Sequence, residues 1–418
     1  MKRPSPAKCA ATWVVCLSLA LSGCVTSKPA TMPQVGPATS NELLTKAEPQ
    51  AEPARTKLDV VIPVFDPGLP EELADASGYD EETELWPELR RAEANRFAVK
   101  LKEAIEATGE FGSVWVTPNA EATGDLYLLG TIDESDGEDV SFDLQVVDVS
   151  GRTWLDDDFD HDVDEDFHEN WRNKDKDPYQ PAFDAAAEAV VALLKKTSED
   201  ELAALREINR LRFAKSFADD AFSSFLSAEE GRYQLVGLPS EDDPMLERVE
   251  AIRVRDQLFL DQLQPHYASF SSGMDQSYGV WQEQALMEHV ARRQAQKDAA
   301  VEAVGGVLLI GLAVLAAVAG ASSDTAGGQI VGATGAAVGG MMGADLLQSS
   351  FQTSKEAELH REALEELGQS INMELAPRVV EFQNETVELT GDAVEQFNQW
   401  RAFLAKMHEI EMTPDRQL

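Results

Sequence analysis

The chain has 418 residues, which is enough for two or three domains with a substantial hydrophobic core. Its 75 acidic residues outnumber its 35 basic residues and give a formal net charge of −40. This charge repels phosphate groups and therefore excludes electrostatic binding of nucleic acids as the main activity. All three cysteines lie within the first 24 residues, so the rest of the chain has neither an internal disulfide nor a cysteine metal site.

The first 23 residues are predicted to be a lipoprotein signal peptide. A positively charged start precedes a short apolar stretch at residues 10–21, an order typical of export leaders. The sequence LSGC at residues 21–24 resembles the lipobox of bacterial lipoproteins. The resemblance implies cleavage between Gly23 and Cys24, followed by attachment of a diacylglycerol and an N-acyl chain to Cys24. No other cofactor is predicted.

The residue after the lipobox cysteine indicates in which membrane the lipoprotein is anchored. In bacterial lipoproteins an aspartate at this position signals retention in the inner membrane, and here it is Val25. The periplasmic face of the outer membrane is therefore predicted, with the inner membrane as the alternative.

Residues 24–57 are predicted to form a disordered tether. Five prolines stand among alanine, threonine, serine and glutamate: Pro29, Pro33, Pro37, Pro49 and Pro53. The stretch has too few apolar residues to bury a core. As a coil it spans roughly 30 Å, which lets a lipid-anchored domain leave its membrane.

Residues 58–197 are predicted to form a small α/β domain with a mixed sheet. Alternating apolar residues indicate strands, and apolar residues three or four apart indicate helices. The predicted strands are at residues 59–65, 114–116, 125–132 and 140–149, and the predicted helices at residues 88–108 and 181–196.

Two segments of this domain carry a family resemblance. They are the sequence GDLYLLGTI at residues 124–132 and a strand and turn marked by Val147, Asp148, Gly151 and Trp154. The order resembles the periplasmic domain shared by the curli-secretion lipoprotein and the lipoprotein activators of penicillin-binding proteins. It is also similar to the amino-terminal domain of the Tol-system periplasmic protein. The resemblance implies the fold and a place in the cell envelope, and it does not name a partner.

The second half of the chain is predicted to be mainly helical, so the expected class is α+β. The predicted segments are a helical region at 198–300, with helices near 202–225, 244–270 and from 276, an apolar glycine-rich hairpin at 301–345, a return helix at 346–376, and a short β-hairpin with a terminal helix at 377–418. The helices on either side of the apolar hairpin are expected to form a long antiparallel pair.

The apolar hairpin resembles glycine-zipper proteins. Its first arm, residues 304–323, has no charged residue and as a helix is roughly 30 Å long, enough to cross a hydrocarbon core. The second arm has glycines at three- and four-residue steps: Gly328, Gly332, Gly335, Gly339 and Gly343. This spacing places them on one helix face, where another helix can approach closely. The hairpin therefore serves either assembly or membrane insertion.

One acidic run, at residues 158–169, has a spacing similar to that of calcium-binding loops. Starting at Asp158, acidic residues fall where an EF-hand places its ligands: Asp158, Asp160, Asp162, Asp166 and Glu169. Val163 occupies the position that requires glycine, and no flanking helices are evident. A solvated acidic strand edge or loop is therefore favoured over a metal site.

The chain lacks the sequence motifs of nucleophilic hydrolases, phosphate-binding loops, dinucleotide-binding folds and zinc proteases. A non-catalytic protein is therefore predicted. The leading hypothesis is a lipid-anchored envelope protein that binds an unidentified envelope partner and forms homo-oligomers through its glycine-rich hairpin. The alternative is a membrane-inserting or pore-forming component of a transport or secretion system.

Overall fold

The computed structural model describes residues 55–80, 83, 85–174, 176–305, 355–382 and 385–412. Within them a mixed five-stranded sheet is followed by a mainly helical region with one long helix, and a β-hairpin and a helix close the chain. The predicted α+β class is confirmed.

The sheet belongs to the first domain and combines parallel and antiparallel pairs. Its strands are β1 Val60–Pro63, β2 Val114–Thr117, β3 Leu126–Ser135, β4 Asp139–Asp148 and β5 Thr153–Asp162, in the order β2-β1-β3-β4-β5. Strand β1 runs parallel to β2 and β3, and the β3-β4 and β4-β5 pairs are antiparallel. Along β4 buried side chains alternate with more exposed ones, as expected for a sheet with one face on the core.

Two helices pack on the core face of the sheet: α1, Pro87–Thr108, and α2, Gln180–Lys196. Helix α1 has proline at its first position, where a missing N–H costs nothing, and is followed by Gly109 with a φ of 67°. The core contains a group of aromatic rings. Phe97 of α1 lies 5.1 Å from Phe183 of α2, and Phe183 stacks on Phe142 of β4 at 5.3 Å.

The helical region begins with α3, Glu199–Phe217, and a short helix α4, Asp219–Phe222. A capping box between Ser198 and Glu201 fixes the start of α3. The predicted helix near residues 202–225 is interrupted at Ala218 and finishes with a 3-10 turn, Ser223–Phe225. The chain then forms a hairpin of β6, Leu226–Glu229, and β7, Arg232–Leu235. Glu230 and Gly231 both have positive φ, of 52° and 79°, as a tight hairpin turn requires.

Helix α5, Pro244–Gly305, is 62 residues long and replaces the two predicted helices. It continues through Pro265. Leu260, Leu263 and Tyr267, around the proline, are almost fully buried, and we attribute the continuity of the helix to this tertiary packing. At 1.5 Å per residue the helix is roughly 90 Å long. Among the described parts of the chain, no helix is both long and apolar enough for a membrane crossing.

Helix α6, Lys355–Leu367, packs against α5, and its end corrects the predicted return helix at 346–376. The next residue, Gly368, lies against the start of α1, where a Cβ atom would be only 1.7 Å from the carbonyl oxygen of Glu88. The chain closes with β8, Arg378–Phe382, β9, Glu385–Leu389, and α7, Ala393–Met412.

The two edges of the main sheet are protected differently. Helix α5 covers the β2 edge, where the side-chain amide of Gln264 accepts from the Val116 N–H and donates to the Val116 carbonyl, both at 3.0 Å. Strand β5 forms the opposite edge and carries a row of exposed aspartates. Charged side chains on an edge strand disfavour pairing with other chains.

Candidate functional site

The candidate site lies where α5 and α6 meet α1. One side of α1 packs on the sheet, and the other side contains charged and polar side chains that are also buried: Arg90, Arg91, Glu93, Asn95 and Arg96. Burial of such groups is costly unless they are paired or hydrogen-bonded. Their partners therefore show what holds the helical region on the sheet domain.

Arg96 connects α1 with two other elements. Its guanidinium pairs with Asp177, just before α2, at 2.7 Å and with Asp275 of α5. It also lies 4.8 Å from the ring centre of Tyr278 on α5, a cation–π distance. Only 5 % of the Arg96 side chain is exposed, so these interactions are largely shielded from water.

Glu93 lies one helical turn away and is completely buried. One carboxylate oxygen accepts hydrogen bonds from Ser135 Oγ at 2.6 Å and from Tyr278 OH at 2.7 Å, and the other lies 3.8 Å from Arg90 Nε. Burial raises the pKa of Glu93, while the charge of Arg90 and the two hydrogen bonds oppose this rise. The hydroxyl of Tyr179 accepts from Gly137 N at 2.7 Å.

These side chains form one cluster, here called the buried junction, which consists of Glu93, Arg96, Ser135, Tyr179 and Tyr278. It joins α1, the β3-β4 hairpin, the start of α2 and the middle of α5. Each of its members is at most 7 % exposed. Because none of them is presented to solvent, the arrangement stabilises a connection between elements.

Helix α1 also holds the segment that follows α6. Arg91 donates to the carbonyl oxygen of Gly368 at 2.7 Å, and Asn95 donates to that of Ile371 at 2.9 Å. Helices α5 and α6 contact each other through Ser277 Oγ and His360 Nδ1, which are 3.1 Å apart. Both helices that flank residues 306–354 are thus fastened to the same helix of the sheet domain.

The β3-β4 hairpin makes a second, more exposed contact with α5. His289 of α5 lies 3.5 Å from Asp136 and 3.6 Å from Glu138. Arg293, one turn later, pairs with Glu138 and, at 2.8 Å, with Glu165. Basic groups of α5 thus face acidic groups of the sheet domain as far along the helix as Arg293, beyond the buried junction at Tyr278.

The predicted calcium residues are not arranged as one loop. Asp158, Asp160 and Asp162 lie on the extended strand β5, and Asp166 and Glu169 lie in the turn that follows. An extended strand does not wrap around an ion as a twelve-residue loop does. In the portion of the chain that the structure describes, the carboxylates close enough to share an ion are instead Glu134, Asp136 and Asp139.

Like charges face each other across β4 and β5. Asp139 is the cross-strand partner of Asp162, and Asp143 is that of Asp158. Burial, the hydrogen bond with Asp162 and the charge of Asp136 raise the pKa of Asp139 to about 6. Such facing pairs cost stability when both members are ionised.

Replacing Asp139 with asparagine is expected to stabilise the protein at pH 7.5 and to have little effect near pH 4. The folded-state pKa of Asp139 exceeds its unfolded value, so its favourable contribution is present at low pH and is lost as the pH rises through about 6. Because Asp139 is partly exposed, we expect a gain of less than about 1 kcal/mol. Urea unfolding at the two pH values measures it. Asp156→Asn is the control, since Asp156 faces the neutral Gln145; an equal gain there would contradict the explanation.

The residues that carry the family resemblance have local structural roles. Asp148 organises the β4-β5 turn by accepting hydrogen bonds from the backbone N–H groups of Ser150 and Arg152 and, at 2.7 Å, from Trp154 Nε1. Gly151 has a φ of 89°, which favours glycine at that position of the turn. These residues shape a turn, and they would be needed whatever the protein binds.

The residues of the buried junction are not predicted from the sequence, because charged residues within a helix are usually exposed to solvent. One signal points to them. Residues 90–96, RRAEANR, contain three arginines in a chain in which acidic residues outnumber basic ones by about two to one. Such a local excess of arginine indicates partners, since the guanidinium suits buried ion pairs.

Several predicted site residues lie outside the described part of the chain. They are the cleavage residue Gly23, the lipidation residue Cys24, and the helix-packing glycines Gly328, Gly332, Gly335, Gly339 and Gly343. The leader, the tether up to residue 54 and most of the apolar hairpin lie outside it as well.

No protein-family model, curated protein or solved structure matches this chain.

Proposed function

We propose that this chain is a non-catalytic, lipid-anchored protein of the cell envelope, on the periplasmic face of the outer membrane. It acts as an interaction and assembly module that forms homo-oligomers through the glycine-rich segment at residues 301–345. The lipobox at residues 21–24 and the resemblance of the first domain to envelope lipoproteins support the location.

The observation that carries the assembly role is the attachment of both flanking helices to α1. The buried junction fixes α5 through Tyr278 and Asp275, and Arg91 and Asn95 fix the chain just after α6. An element held from both sides loses less conformational freedom when it associates. The arrangement therefore suits a protein that presents the intervening apolar segment to other copies.

Replacing Gly335 and Gly339 together with leucine is expected to convert oligomers of the full-length protein into monomers. The bulky side chains would prevent close approach of helices along that face. Sedimentation of the detergent-solubilised protein measures the change. Gly273→Leu is the control, because Gly273 lies in a helix with open space where its side chain would be. An unchanged sedimentation coefficient of the double variant would contradict the role of the glycines.

A second experiment separates this proposal from the membrane-inserting alternative. Cys24→Ala removes the lipid anchor, and alkaline carbonate extraction then tests for any other attachment to the membrane. We expect the unacylated protein to be released. Retention in the membrane pellet would instead support insertion of the apolar segment.

A further inference from the structure

A groove runs between α5 and α7, on a part of the molecule that the proposed assembly role does not use. It encloses about 280 Å³. Its walls extend from Arg255 to Gln262 on α5 and from Trp400 to Met407 on α7, a step of seven positions on each helix, and Val380 of β8 closes one side. Seven positions of a helix correspond to about 10 Å, which is the length of the groove along each wall.

The floor of the groove is aromatic and held in place. The rings of Phe259 and Trp400 are stacked, with centres 4.9 Å apart and planes inclined by 13°. The indole Nε1 of Trp400 donates to Asp256, a buried carboxylate of α5, at 3.1 Å. A floor with fixed side chains binds without a large ordering cost.

The rim of the groove on α5 exposes aliphatic side chains. Leu258 is 53 % exposed, and Val254, one helical turn earlier on the same face, is 54 % exposed. Single exposed apolar residues are common on protein surfaces. Two of them beside an aromatic groove extend one apolar surface, and such a surface indicates an interaction site.

An arginine lies at each end of the groove, although the chain as a whole is strongly negative. Among the described residues that line it, Arg255 alone is charged. At the other end Arg378 donates to the side chain of Gln262 at 3.1 Å and to His266 at 2.6 Å. Burial and the charge of Arg378 lower the pKa of His266, which favours the neutral ring that accepts this hydrogen bond. An apolar centre therefore lies between two arginines.

We propose that this groove binds an amphipathic α-helix of a partner protein, with apolar side chains facing the groove and carboxylates at its flanks. A helix that lies along two others fills the space between them by ordinary helix packing. Apolar residues at positions i, i+3 or i+4, and i+7 span the same 10 Å as the groove wall. Carboxylates at the flanks complement Arg255 and Arg378 and would repel the acidic remainder of the surface. The proposal rests on the proposed interaction role and names one surface and one class of partner for it.

Site-specific photocross-linking in the native cell tests the proposal with the full-length protein. Benzoyl-phenylalanine placed at Val254 reports contacts at the groove. The same probe at Met287, which is 57 % exposed on the same helix, is the matched control. We expect a cross-link from position 254 only, to a segment that mass spectrometry identifies as an acidic amphipathic helix of another protein. Adding Leu258→Glu should reduce this cross-link at least tenfold, because its charge repels the acidic partner.

Three kinds of result would overturn the proposal. The first is equal labelling from positions 254 and 287, and the second is a cross-link from position 254 to lipid, to a basic or extended segment or to a second copy of this chain. The third is a cross-link that survives Leu258→Glu. Leu258 is exposed, so we expect the variant to fold, and its thermal unfolding checks this. If the glycine double variant stays oligomeric to the same extent as the natural chain while the groove cross-link is found, the assembly role fails and the groove proposal stands. If the oligomers of the double variant dissociate as expected and no groove cross-link forms, the assembly role stands and the groove proposal fails.

Discussion

Replacing Arg96 with alanine is expected to destabilise the protein by about 3 kcal/mol, because it leaves buried charge without a partner. Asp177 pairs with Arg96 at 2.7 Å, and its side chain is only 9 % exposed. Asp275 loses its partner as well, but it is about half exposed and can be hydrated. Equilibrium unfolding in urea measures the loss, as a lower midpoint with an unchanged slope.

The matched control is Lys100→Ala, one turn further along α1. Lys100 pairs with Glu103, whose side chain is 53 % exposed and can be hydrated, so this substitution removes mainly the packing of the lysine stem and should cost about 1 kcal/mol or less. Arg96→Lys should fall between the two, since lysine keeps the charge but lacks the planar group that serves two carboxylates at once. Equal losses for Arg96→Ala and Lys100→Ala would contradict the role of the buried junction.

The loss of stability caused by Arg96→Ala is expected to be largest in one part of the molecule. Arg96 contacts α5 near Ser271, Asp275 and Tyr278. Amide hydrogen exchange should therefore accelerate in this part of α5 more than in strand β3 of the sheet core. A uniform acceleration over the whole chain would indicate a general loss of stability and no special link between α5 and α1.

The sheet domain could be predicted from the sequence because its burial pattern is local. Strand β4 alternates apolar and polar residues along its length, and α1 has its apolar residues at helical spacing, so each element carries its own signal. The acidic strand β5 is different. Residues 156–162 are mostly aspartates, which disfavour strands, and the pairing with β4 decides their conformation.

The candidate site could not be predicted in the same way, because its contacts join distant parts of the chain. Glu93 and Tyr278 are hydrogen-bonded although 185 positions separate them. The continuity of α5 also depends on tertiary contacts, since packing around Pro265 outweighs the helix-breaking tendency of proline.

Gly130 is a residue of the family-like segment at 124–132, and its place in the core explains why that position requires glycine. The ring of Phe65, which follows β1, lies directly over it. A Cβ atom on Gly130 would be 2.3 to 2.5 Å from three atoms of this ring. Phe65 is 1 % exposed and is held by Phe142 at 5.7 Å and by Phe97 at 6.2 Å, so the ring has little room to move.

Replacing Gly130 with alanine is therefore expected to destabilise the protein by about 2 to 3 kcal/mol through overpacking. Gly273→Ala is the matched control. Gly273 lies in α5 with open space around its missing side chain, and alanine there should stabilise the helix by up to about 1 kcal/mol. Replacing glycine with alanine should therefore lower the stability at position 130 and raise it at position 273, and thermal and urea unfolding measure both changes.

A second substitution tests the cause of the loss at Gly130. Phe65→Leu removes the ring atoms that the new methyl group would meet, so it should cost less in the Gly130→Ala background than in the natural chain. Residues in contact show such coupling, of about 0.5 to 3 kcal/mol. Additive losses would mean that the ring is not the obstacle. Coupling would show that this part of the family-like segment is constrained by core packing, and the search for partner-binding residues then belongs on exposed surfaces such as the groove between α5 and α7.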